Sequence, residues 1–308
     1  MEILSIVFVI IGLCVFEVVS SIDNAVINAE VLSTMSEKAK KWFLFYGILF
    51  AVFIVRGLLP WAIVWATNPS LGPIGALTAT FSNDPHIIES IKYSTPILML
   101  GGGIFLVFLF LHWLFIEDKH FGLPTEEFFL KNGAWFYAVV SIILVGIVAL
   151  ALKSNPTLAL SAVIGSSAFF ITDGFKKNAE DNEKKLLNNT SQMSDLSKIL
   201  YLEIIDTTFS IDGVLGAFAF TMSIPLIILG NGLGAYVVRK ITMGSIDKIK
   251  KYIYLKNGAM YSVLCLGTVM VLEGFHVEVP EFVSPLFTIL IIAYFFFKSR
   301  NHAKKEFS

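Results

Sequence analysis

The chain has 308 residues, 56% of them apolar and only 15% charged, with 28 Phe and a net charge of −1. A soluble domain of this size needs far more polar surface to cover its core, and a chain without basic excess has little to hold a phosphate backbone. With a mean hydropathy of +0.75, a soluble enzyme, a nucleic-acid binder and a disordered scaffold are excluded. What remains is an all-α, multi-pass protein of the cell (inner) membrane, with the lipid bilayer as its constant partner.

A helix needs roughly 20 residues to cross a bilayer. On that measure about nine segments read as spans: 3–31, 43–66, 94–116, 133–152, 158–173, 199–222, 225–239, 257–274 and 283–298. The first starts Met1-Glu2, lacks a basic lead and is too long for a cleaved leader. The connection 67–93 carries the helix-breaking steps Asn68-Pro69, Gly72-Pro73 and Asp84-Pro85. Gly101-Gly102-Gly103 in the third segment suits close helix packing. The stretch 174–198 is the most polar and reads as a cytoplasmic linker.

Orientation follows from Lys and Arg, which accumulate on the cytoplasmic side. With the N-terminus outside and the C-terminus inside, inner connections and helix ends carry 20 of them and outer ones carry two, Lys92 and Lys153. Arg56 alone falls within a span.

The charges inside spans carry the chemistry, since each costs about 2.5–3.5 kcal/mol at mid-bilayer. The first segment holds Glu17, Ser21, Ile22, Asp23 and Asn24; the sixth holds Asp206, Ser210, Ile211 and Asp212. Glu17 and Asp206, Ser21 and Ser210, and Asp23 and Asp212 are each 189 residues apart. One segment runs inward and the other outward, the arrangement of transporters built from inverted repeats around a midplane site. Spans 1–3 and 6–8 are then the repeats. This gives a first transmembrane repeat at 1–116, an intervening helix pair at 117–173, the linker at 174–198, a second repeat at 199–274, and a final span with a basic tail at 275–308.

Glu17, Ser21, Asn24 and Asn28 share one helical face. Asp23 and Asp212 lie six residues beyond their upstream acids, about 240° around a straight helix. Either the helices unwind near Ser-Ile-Asp, eased in the sixth by Gly213 and Gly216, or the second acids face other helices. Carboxylate, Ser and Asn oxygens form a hard donor set suited to Mn²⁺, Mg²⁺ or Ca²⁺. The expected metal-pathway residues are Glu17, Ser21, Asp23, Asn24, Asp206, Ser210 and Asp212. Asn28, Arg56, Glu203, Asn231 and Arg239 support them. Arg56 calls for a buried carboxylate partner; Arg239 ends its span, where an arginine also snorkels to water.

At these residues the chain resembles the TerC family of integral membrane proteins, part of a wider superfamily with LysE-type exporters. The resemblance rests on Glu17 with Ser21-Ile22-Asp23-Asn24-Ala25, on Asp206 with Ser210-Ile211-Asp212, and on the Asn231 to Arg239 region. It is clearest over 1–60 and 199–275, and it departs where Asp212-Gly213 stands against Asp23-Asn24. It implies manganese export and metal-pathway roles for Glu17, Asp23, Asp206 and Asp212.

The expectation is therefore a secondary transporter, not an enzyme, that exports a divalent cation, Mn²⁺ first, with H⁺ or Na⁺ as coupling ion and a homo-oligomer as its assembly. The alternatives are export of a small organic solute and, further off, an intramembrane aspartyl hydrolase. No Walker A segment supplies ATP.

Overall fold

A computed structural model describes residues 3–47, 50, 56–78, 84–189, 193–209, 211–244 and 251–306. Every regular element among them is helical. Seven helices are long and apolar enough to cross a membrane: Ile3–Ser20, Lys92–Phe115, Gly133–Ser154, Pro156–Asn178, Ile224–Thr242, Leu255–Gly274 and Val283–Ala303. They make the protein a multi-pass helical bundle.

The structure describes the second and sixth expected segments in parts. The sixth consists of α10 (Asp195–Phe209) and α11 (Ile211–Phe218), with Ser210 outside the described residues. The second contains a π-helical turn at Phe43–Gly47 and helix α4 at Leu59–Thr67. The first is also divided, into α1 (Ile3–Ser20) and α2 (Ile22–Ser33), with Ser21 between them at φ −92° and ψ 3°. The Ser21 backbone keeps its bonds to both sides, donating to Glu17 O at 3.1 Å and accepting from Ala25 N at 3.0 Å. The chain bends at Ser21 without losing its ladder.

The short α3 (Glu37–Trp42) leads into the π-helical turn, and α5 (Gly72–Thr78) follows α4. Helix α6 (Pro85–Phe115) is the most enclosed span, and α8 (Phe136–Ser154) the most exposed. The amphipathic α7 (Pro124–Lys131) lies between them. Lipid would meet Ile142, Val145 and Leu152 of α8, which are exposed. Helix α9 (Pro156–Asn189) continues through much of the polar stretch, so residues 174–189 extend the fifth span as helix. The second half contributes α12 (Ile224–Gly244), α13 (Leu255–Gly274) and α14 (Val283–Glu306).

The glycine run packs as its spacing suggests. A Cβ on Gly103 would stand 2.9 Å from Gly267 O of α13, and one on Gly101 3.0 Å from Ser161 O of α9. Side chains there would force three helix backbones apart.

Packing partners persist when the halves are exchanged. Helix α1 packs on α13 as α11 packs on α6, while α6 and α13 pack on each other. Helix α14 lies against α1 and α13 as α9 lies against α10 and α6.

The ends separate by charge. At one end Lys256 Nζ pairs with Glu117 at 3.0 Å, Asn257 Nδ2 donates to His120 O at 3.0 Å, and Tyr254 N donates to Ser299 Oγ at 2.9 Å. These Lys-rich connections meet where the cytoplasm is expected. At the other end Ser5 Oγ donates to Glu281 at 2.9 Å.

Candidate functional site: a buried ionic cluster

Glu17 sits one turn before the bend in the first span and is 1% exposed. Two glycines make room for it. A Cβ on Gly234 of α12 would stand 2.6 Å from Glu17 Cβ, and one on Gly213 of α11 would stand 3.2 Å from Glu17 Oε2. Gly213 and Gly216 therefore serve close approach within a helical α11, not the unwinding the sequence suggested. Ser21 Oγ donates to Glu17 Oε1 at 2.9 Å.

Arg56 arrives from the second segment, 2% exposed, and its Nη2 donates to Glu17 Oε1. Its Nη1 lies 3.9 Å from Asp206 Oδ2. Asp206 stands between two guanidiniums, since Arg239 Nη2 is 3.7 Å from the same oxygen. Arg239 also holds Glu203, one turn before Asp206, at 3.1 Å. Its Nη1 donates to Phe43 O at 3.0 Å, and its guanidinium lies 4.2 Å from the centre of the Phe43 ring. Arg239 is buried, so the snorkelling alternative does not apply. Buried charges persist only when paired and hydrogen-bonded. Here the carboxylates of Glu17, Glu203 and Asp206 meet two guanidiniums, leaving one negative charge in excess when all are ionised.

Asp212 does not join this cluster, contrary to the sequence expectation. It pairs with Lys176 of α9, and its Oδ1 has no hydrogen-bond partner among the described residues. The reason is rotational: successive helix residues point about 100° apart, and Gly213 already faces Glu17. Asp212 instead lines a cavity of about 20 Å³ with His112, Glu117, Asp173 and Lys176. His112 stands 3.5 Å from Glu117 and 3.3 Å from Asp173. Glu117, beyond the span, has its carboxyl driven up by burial and down by bonds from His112 and Lys256. The second effect wins and leaves it at about 2. Spacing within the motif gave no hint of Lys176, which sits in the stretch read as a linker.

Asn28 is buried, and Asn231 is fully buried with neither amide atom hydrogen-bonded among the described residues. The side chains of Asp23 and Asn24, like Ser210, lie outside the described residues. Among the described residues no three His, Cys, Asp or Glu side chains stand together as a metal-holding group. Glu17, Glu203 and Asp206 are turned onto arginines.

A buried ionic cluster within seven membrane-length helices makes this a polytopic membrane protein. The chain belongs to the DUF475 family, described as a protein of unknown function, whose model matches residues 22–306. It is also similar to the uncharacterized membrane protein YceF of Bacillus subtilis (strain 168), 33% identical over 100 residues. That match covers 32% of this chain and 37% of the relative's length. No solved structure matches the chain.

Proposed function

We propose that this protein is a secondary transporter that exports a divalent cation, with Mn²⁺ the best fit, and that it is a divergent relative of TerC-type exporters. One observation carries the reading: Glu17 and Asp206, the matched acids of the two motifs, converge on the guanidinium of Arg56. Such a buried acid pair needs a positive charge to persist. Arg56 supplies it when no cargo is bound, and an arriving divalent cation would take its place. Displacing the arginine supplies the ligands and couples cargo to a rearrangement of the segment that bears Arg56. Ser21, Asp23, Asn24, Ser210 and Asn231 are the neutral and acidic oxygens that would complete the shell. An inward flux of H⁺ or Na⁺ would drive export, with a carboxylate freed by the metal taking the proton.

The test is manganese accumulation in cells expressing the wild type, Glu17→Gln or Asp206→Asn. Wild type lowers cytoplasmic manganese and both variants leave it high. If both variants match wild type in manganese content, the assignment fails. A second reading has support from the same contact: a pocket that seats a guanidinium suits an organic cation such as a basic amino acid. Efflux of labelled arginine in the same cells, insensitive to manganese, would favour it.

A further inference from the structure

The outer end of the bundle holds a cavity of about 1090 Å³, lined in part by Glu273, His276, Glu278, Glu281, Ser223 and Phe220. Ser223 is fully buried and its hydroxyl has no hydrogen-bond partner among the described residues. His276 takes a left-handed conformation, φ 61°, where α13 ends. Val277 N donates back to Leu272 O at 3.0 Å there, a helix-ending turn that glycine fills without strain. A histidine at that position brings an imidazole to a cavity wall that already carries three carboxylates. Clefts lined by one sign of charge concentrate counter-ions.

The inner wall of this cavity is aromatic. The Phe220 ring meets the Phe16 ring at 5.9 Å between centres. Phe16 is fully buried and is the residue before Glu17. Gly213, Gly216 and Phe220 are spaced three and four apart, so they share one face of the chain leaving α11. Gly213 meets Glu17, and a Cβ on Gly216 would stand 2.7 Å from the Phe16 ring. Going inward along this face, the order is cavity, Phe220, Phe16, Glu17.

We propose that the outer cavity is the aqueous route between the outside and the Glu17–Arg56–Asp206 cluster, and that the Phe16–Phe220 ring pair is the gate that closes it to hydrated cations. Apolar constrictions of this kind close by expelling water. Gly216 lets the Phe16 ring lie against α11, and a change of rotamer at Phe220, in the turn beyond the end of α11, would part the rings. The cargo named for this route rests on the transporter reading above; the gate itself is testable without it.

The experiment uses the full chain in intact cells with Ser21→Cys in a Cys14→Ala, Cys265→Ala background. A membrane-impermeant cationic methanethiosulfonate is applied from outside. The position-21 thiol, beside Glu17, reacts slowly while the rings are in place. Phe16→Ala and Phe220→Ala each raise the labelling rate by at least about tenfold, and Phe220→Trp does not raise it. If Phe220→Ala fails to reach the membrane, Phe220→Leu gives a smaller increase in the same direction. Equal rates, within about twofold, in folded ring variants and the parent overturn the gate. A protein that moves no manganese yet shows the labelling difference keeps the gate and loses the cargo. One that moves manganese while labelling ignores both rings loses the gate alone.

Discussion

Replacing Arg56 with methionine keeps an unbranched apolar stem and removes the guanidinium and its charge. Glu17 is then left 1% exposed with only the Ser21 hydroxyl at 2.9 Å. Removing one partner of a buried pair costs about 3–5 kcal/mol, because the remaining charge is uncompensated. For a chain of this length about 2 °C of unfolding midpoint accompanies each kcal/mol, so the variant should melt roughly 6–10 °C lower in detergent. Glu17→Gln combined with Arg56→Met should recover most of the loss, since Asp206 keeps Arg239 at 3.7 Å. The same protein tests the exchange of arginine for cargo. Mn²⁺ at about 100 times its dissociation constant stabilises the state that binds it by roughly 2.7 kcal/mol. The Arg56→Met variant receives that gain undiminished, whereas wild type must first dislodge its guanidinium. Mn²⁺ should therefore raise the midpoint of the variant more than that of wild type. An unchanged midpoint for Arg56→Met refutes the pairing argument, and equal manganese shifts in both proteins refute the exchange.

Lys176→Met should lower thermal stability by leaving Asp212 unpaired, yet leave the manganese-dependent midpoint shift intact, because that pair lies outside the cluster; loss of the shift contradicts the separation. Gly234→Ala places a Cβ 2.6 Å from Glu17 Cβ and 3.0 Å from Cys14 O, and should cost about 1–3 kcal/mol in the same melting assay. Gly146→Ala in α8 meets nothing within 4 Å and should be neutral or stabilising by up to about 1 kcal/mol. Glu117, at about 2 in the fold against 4.5 when free, contributes stability that is present above about pH 4.5 and lost as the pH falls toward 2. Glu117→Gln should flatten that acid limb of a pH–stability profile.

The convergence of Glu17, Asp206 and Arg56 was legible because residue type suffices for it. Lipid makes a lone charge so costly that an arginine in one span implies carboxylates opposite. The break at Ser21 was legible as one of two ways to place an acid six residues downstream. Helix phase across a break was not. Whether Asp212 turns toward Glu17 or away depends on which neighbour needs the space against α1, and Gly213 takes it. Lys176 escaped notice because composition marks the polar stretch without marking where the membrane ends, and α9 runs on as one helix through that boundary. Arg239 had an easy surface explanation that only its contact with Glu203 and Phe43 removes.

The grip of Gly213 and Gly234 on Glu17 limits how the molecule moves. With α11 on one side and α12 on the other, both within a methyl group's width of the carboxylate side chain, α1 has no slack to swivel about its own axis. A change of access has to carry these three helices as a single wedge. Arg56 touches the wedge from outside, through its ionic grip on Glu17 and Asp206. In mechanical terms the arginine is the clutch and the glycine-clasped helices are the shaft.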